Sequence, residues 1–132
     1  MFNLIKIENA RMNVPEPEFL DVTDGEAVEE GEALVLSAGK LTKCGVTKKP
    51  EFISMAILAA DATERRIAVC RVESNQVYEV PVSAAPTALV PGDKVTIHTD
   101  GLQVTATTAD GVVTVVNTIG AAVAGDTILV RI

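Results

Sequence analysis

Apolar and polar residues alternate with a period of two along most of this chain, in short runs broken by glycine- and aspartate-bearing turns. The clearest stretch runs from Leu89 to Ile132. There Val95 and Ile97 alternate with Lys94, Thr96 and His98, and Ile128, Val130 and Ile132 alternate with Leu129 and Arg131. Side chains of a strand point to opposite faces in turn, so this rhythm places one apolar set inward and one polar set outward. Gly92-Asp93, Asp100-Gly101, Asp110-Gly111 and Gly125-Asp126 supply the turns. The pattern predicts an all-β domain, a single small β-barrel or sandwich.

An earlier stretch resembles the clearest one. Val28-Glu-Glu-Gly31-Glu-Ala-Leu-Val-Leu36 matches Val90-Pro-Gly92-Asp-Lys-Val-Thr-Ile97, and Met55 to Asp61 with Ile67-Ala-Val69 matches Gly120 to Asp126 with Ile128-Leu-Val130. Gly31 to Gly92 is 61 positions and Asp61 to Asp126 is 65. Self-similarity at one offset bears on architecture before any residue chemistry, and two units make one paired domain rather than a solenoid. Two readings stand: related halves at about 28–72 and 89–132, or convergence of valine alternation and Gly-Asp turns. Strands are expected at 33–37, 41–44, 52–59, 65–72, 77–82, 94–99, 102–107, 112–117, 119–123 and 127–132.

Residues 1–24 differ in character and read as an extended N-terminal arm preceding a β domain at 25–132. Phe2, Leu4, Ile5 and Ile7 make a short apolar strand, and Pro15-Glu-Pro17 fixes an extended run in which no helix forms. Phe19 and Leu20 follow as apolar anchors before the turn at Asp24-Gly25. Two of the three phenylalanines sit in this arm. The arm lies along either its own barrel or a neighbour; on the second reading Phe2, Leu4, Phe19 and Leu20 are the candidate contact residues toward another macromolecule or protomer.

The formal charge of −7 repels a nucleic-acid backbone on average. Aromatics at 3% leave no stacking platform for single strands. Lys40, Lys43, Lys48 and Lys49 form a loose cluster without interleaved aromatics and read as a solvated loop. Cys44 and Cys70 lack metal-ligand spacing and a C-x-x-C arrangement; free thiols are the expectation, with a disulfide left open. The N-terminus has no basic n-region or long apolar run, and no stretch approaches the roughly 18 apolar residues of a spanning helix. The expectation is a protein made in a cytoplasm, with no membrane and no nucleic acid among its partners.

Chemistry is sparse. The only histidine, His98, falls on an outward strand face, and no nucleophile elbow, P-loop or dinucleotide fingerprint is present. Asp21, Asp24 and Glu26 do not match a calcium-loop pattern. No catalytic, cofactor-binding or metal-ligating residue is nominated, and the expected class is non-enzymatic, working through its surface.

From Val90 onward the chain reads P-G-D-x-V, then D-G-L-x-V-T, then I-G-x-A-x-A-G-D-T-I-L-V-R-I over Ile119 to Ile132. This pattern resembles the small capsid decoration (cement) proteins of tailed phages and prophages, acidic β proteins often mislabelled as recombinase-like. The resemblance is strongest over the last third of the chain and weaker over 26–72. It implies a structural protein on the exterior of the virion capsid, a homo-oligomer, expected to be a trimer, that bridges subunits of the major capsid protein. Such a protein stabilises an assembled lattice by mass action, and several weak contacts combine through effective concentration. An arm ordering on the shell would add main-chain pairing to an edge strand. The alternatives are a small β-barrel module binding a ligand or peptide in a bacterial cell, and a phage tail or baseplate component.

Overall fold

The computed structural model describes residues 1–8 and 15–132. Its ten strands are β1 (Asn3–Ile7), β2 (Glu18–Asp21), β3 (Ala33–Ser37), β4 (Lys40–Lys43), β5 (Phe52–Ser54), β6 (Arg66–Arg71), β7 (Gln76–Pro81), β8 (Lys94–Val95), β9 (Val113–Asn117) and β10 (Thr127–Arg131). They form two five-stranded antiparallel sheets, one in the order β2-β6-β5-β3-β4 and the other in the order β1-β7-β10-β9-β8. The all-β class is as the alternation requires. Among the described residues neither sheet closes into a barrel; a parallel bridge, Val22 to Leu41, ties the end of β2 back toward β4.

The two sheets repeat one pairing scheme. Ala33 faces Ile53 and Leu34 faces Phe52 in the first sheet, while Lys94 faces Thr114 and Val95 faces Val113 in the second. Every one of these positions is shifted by 61. The bridge from Val22 to Leu41 recurs as Val82 to Val104. Gly31 N–H donates to Ser54 O at 2.9 Å, and Gly92 N–H donates to Val115 O at 2.8 Å. Both glycines hold positive φ, 75° and 97°, a region that costs an L side chain roughly 1 kcal/mol or more. The Glu32 carboxylate accepts from Glu29 N–H at 2.8 Å as the Asp93 carboxylate does from Val90 N–H at 3.0 Å. The two sheets thus share one hydrogen-bonding scheme.

The same register corrects one detail of the sequence match. Val22 N–H donates to Arg65 O and Val82 N–H to Asp126 O, both at 2.9 Å. The counterpart of Asp126 is thus Arg65, not Asp61.

Each half buries an equivalent set. Val22, Leu34, Leu41, Phe52, Ile67 and Val69 fill the smaller core, and Val82, Val95, Val104, Val113, Ile128 and Val130 take the same places in the larger one. Each such side chain contributes roughly 1.5–3 kcal/mol on burial. The larger core also takes in Ala33, Val35, Cys44 and Ile53 from the other face of the first sheet, so the halves are packed together.

Several expected strands are shorter or absent. Ser54 Oγ donates to Ala56 O at 2.7 Å and accepts from Ala56 N–H at 3.2 Å, and this local turn ends β5 where a run to Ala59 was expected. Ile119 sits at φ 54° with its N–H on Asn117 Oδ1, so 119–123 is a turn. The 94–99 and 102–107 runs reduce to β8 and a bridge between Ile97 and Val104. Of the two readings of the N-terminal stretch, lying along its own domain is the one observed. Residues 3–7 pair with β7 and residues 18–21 with β6, so both apolar pieces of 1–24 are strands of the domain's own sheets. Residues 9–14 of that stretch lie outside the described residues.

Candidate interaction surfaces

The four nominated contact residues separate by burial. Phe2 is 3% exposed and meets Tyr78 edge-on with ring centroids 6.2 Å apart. It belongs to the core, and its nomination as a contact residue is corrected. Leu4, opposite Tyr78, is half-buried against the same core. Leu20 packs on the smaller core. Phe19 alone is displayed, with 61% of its surface exposed. The alternation of β2 explains the split: Leu20 shares a face with Ile67 in the core, and Phe19 shares the opposite face with Ala68.

Strand β2 ends its sheet. Because Val22 N–H bonds to Arg65 O, Val22, Leu20 and Glu18 point their backbone groups toward β6, and Pro17 and Phe19 point theirs at the open edge, which the bridge to Leu41 covers from Asp21 onward. Proline at 17 removes a donor from that edge, a common way of discouraging strand addition. Two ion pairs brace the strand: Arg71 donates to both Glu18 carboxylate oxygens at 2.8 Å, and Arg66 Nε to Asp21 at 3.1 Å. The Arg71 partnership holds the Glu18 carboxyl below its ordinary range. Phe19 is therefore offered as a side chain on a fixed strand, and main-chain pairing by a free arm is not the mode this edge favours.

Further apolar side chains stand on braced loops. Ile57 is 69% exposed in the loop after β5. Arg65 holds that loop, donating from Nη1 to Ala59 O at 2.9 Å and Ala60 O at 3.2 Å, and from Nη2 to Thr23 O at 2.9 Å and to Glu26 O. In the equivalent loop of the second half Ile119 and Val123 are more than half exposed. There the Asp126 carboxylate accepts from Ala122 N–H at 2.8 Å and Val123 N–H at 3.0 Å, which lowers its pKa.

Between the halves lies an open cleft of about 270 Å³, lined by Met1, Phe2, Ile53, Met55, Cys70 and Tyr78 among others. Tyr78 Oη donates to Gln76 Oε1 at 2.7 Å, and Gln76 Nε2 reaches Cys70 Sγ at 3.7 Å. Burial raises the pKa of both Cys70 and Tyr78. Neither group is poised to ionise near neutrality, so the cleft offers shape and apolar contact without an activated nucleophile.

His98 is only partly outward. Its neighbour Thr96 is 4% exposed and shares a 2.7 Å hydrogen bond with Thr105, which corrects the expected outward face. His98 Nδ1 lies 3.1 Å from Asp100 Oδ2. Desolvation pushes the Asp100 carboxyl up, but Leu102 N–H, Gln103 and His98 together outweigh it and lower the pKa. These contacts fix the 98–103 loop; Gly101 O accepts from Ala33 N–H at 2.8 Å and joins the halves. No described nucleophile hydrogen-bonds to His98.

Cys44 and Cys70 are buried free thiols, and desolvation raises the Cys44 pKa to about 11. Among the described residues no group of three His, Cys, Asp or Glu side chains is placed to hold a metal ion, and no helix is long and apolar enough to cross a membrane. The lysine cluster divides: Lys40 pairs with Asp24 at 2.9 Å and Lys43 with Glu32 at 3.2 Å. Glu32 is 2% exposed, a buried carboxylate that the turn-forming Glu30-Gly31-Glu32 sequence does not announce.

No protein-family model matches this chain, and no curated protein matches it in sequence.

Proposed function

We propose that this protein is a non-enzymatic structural protein that decorates the outside of a phage or prophage capsid and stabilises it by bridging major capsid subunits. The observation that carries the reading is the display of large apolar side chains on a fixed backbone. Phe19 and Ile57 are each more than half exposed, on a strand and a loop held by Arg71, Arg66 and Arg65. A preorganised surface loses little conformational entropy on docking. The turn-and-strand pattern over Ile119 to Ile132 supports the same family. Several such contacts per oligomer, with a trimer as the working stoichiometry, add through effective concentration. A sandwich of two related halves fits this role, since rigidity rather than opening is what a bridge needs.

The test is sedimentation of the purified protein with undecorated expanded capsids and, separately, with unassembled capsid protein. Binding to the assembled shell in preference to free subunits supports the reading; equal binding to both, or to neither, overturns it.

One observation favours a second reading, a small module that binds a ligand or peptide. The cleft between the halves combines Phe2, Ile53 and Met55 with the polar ends of Ser54 and Tyr78. Saturable binding of a small apolar ligand that perturbs Tyr78 and Cys70 would support it.

A further inference from the structure

Three directly opposed residues form a row across each sheet. In the first it is Ala33, Ile53 and Cys70 on β3, β5 and β6. In the second, at the equivalent places on β8, β9 and β10, it is Lys94, Thr114 and Arg131. The first row is buried, and its Ala33 and Ile53 join the core that contains Phe2 and Tyr78, so that it lies at the interface between the halves. The second row is left open and lines a cleft of about 340 Å³ together with Lys49, Gly111, Val112 and Ile132.

The chemistry of that cleft runs against the rest of the molecule. The chain carries −7 overall, yet three cations converge here. Among the described residues neither Lys49 nor Lys94 has a carboxylate within 4 Å; Arg131 gives Nη2 to Glu8, and its Nε has no partner. The base of Lys94 is fixed. A Cβ on Gly111 would fall 2.2 Å from Lys94 O, so the two backbones touch, and Val112 N–H bonds Val95 O at 2.9 Å.

We propose that this row, with Lys49, docks a carboxylate-bearing segment of a partner protein. Charge complementarity selects the occupant: a short acidic loop meets two lysines without an ion pair and the Thr114 hydroxyl locally, beside an Arg131 that Glu8 already pairs, whereas an extended polyanionic backbone meets the negative field of the whole domain. The face that joins the halves through apolar contact in one copy becomes, in the other, an outward interface with polar contact.

The experiment is a nuclear magnetic resonance titration of the full chain with a short oligoglutamate peptide at low ionic strength. Peak shifts are expected at Lys49, Lys94, Gly111, Thr114 and Arg131. The double variant K49A/K94A is expected to bind roughly fivefold more weakly with an unchanged melting temperature. K48A removes one positive charge outside the cleft and leaves the affinity as it was. Shifts located elsewhere, an equal loss in K48A, or the same shifts produced by inorganic phosphate alone overturn the proposal. No capsid enters the titration, so its failure and the failure of the decorating reading are separate results.

Discussion

Arg65 and Asp126 stand at the same position of the two halves and fasten the same loop by opposite chemistry. Arg65 donates to four backbone carbonyls, and Asp126 accepts from two backbone amides. A loop crossing between equivalent strands leaves polar backbone groups that water alone would otherwise satisfy. Each copy meets that need with the side chain to hand.

Replacing Arg65 with alanine strips donors from carbonyls that are partly shielded. The expected loss is about 2 kcal/mol, read as a lower denaturant midpoint. R65K restores charge without the fork of donors and recovers only part of it.

Acid sensitivity follows from Asp126 and Asp100, whose pKa values are lowered in the folded chain. A carboxyl with a depressed folded pKa contributes stability that is fully present above its unfolded pKa, about 4. That stability is lost as pH falls through the lower folded value. Melting temperature is expected to fall as the pH is taken below about 4, and to fall less steeply in D126N and D100N. An unaltered slope in both variants contradicts the assignment.

Phe2 and Phe19 have opposite roles. F2A empties a core position and is expected to cost about 3 kcal/mol, whereas F19A stays within about 0.5 kcal/mol of wild type. Only F19A is expected to lose binding to a shell without losing fold. Chemical denaturation of both variants checks the first part, and sedimentation the second.

Cys44 and Cys70 are buried, with thiol pKa values raised by desolvation. Thiolate is the reactive form, so at pH 8 a thiol reagent should label the folded protein slowly and the denatured protein at once. Rapid labelling of the native chain would place at least one thiol at the surface.

Much of this fold was legible in the sequence, because alternation reports which face is buried. Ile128 and Val130 point inward as their period demands, and the offset of 61 from Gly31 to Gly92 is the shift that relates the sheets. What the pattern could not convey was pairing partners. Phe2 looked like a free anchor because nothing local says that residues 3–7 add to β7, which lies some seventy positions away. Ile119 to Val123 reads as apolar strand, yet the Asn117 side chain and a positive φ at Ile119 turn it. The basic row was equally silent. Lys94, Thr114 and Arg131 are scattered in sequence and meet only through register; comparison with Ala33, Ile53 and Cys70 was the signal that could have found it.

Hydrogen exchange of the free and shell-bound protein tests most directly whether this molecule works as a rigid display of fixed surface. The account predicts slower exchange on binding in β2 around Phe19 and in the loop carrying Ile57, with the core strands β7 and β10 unchanged. Exchange that is the same with and without shells, or protection that falls on the cleft beside Tyr78 alone, would contradict it.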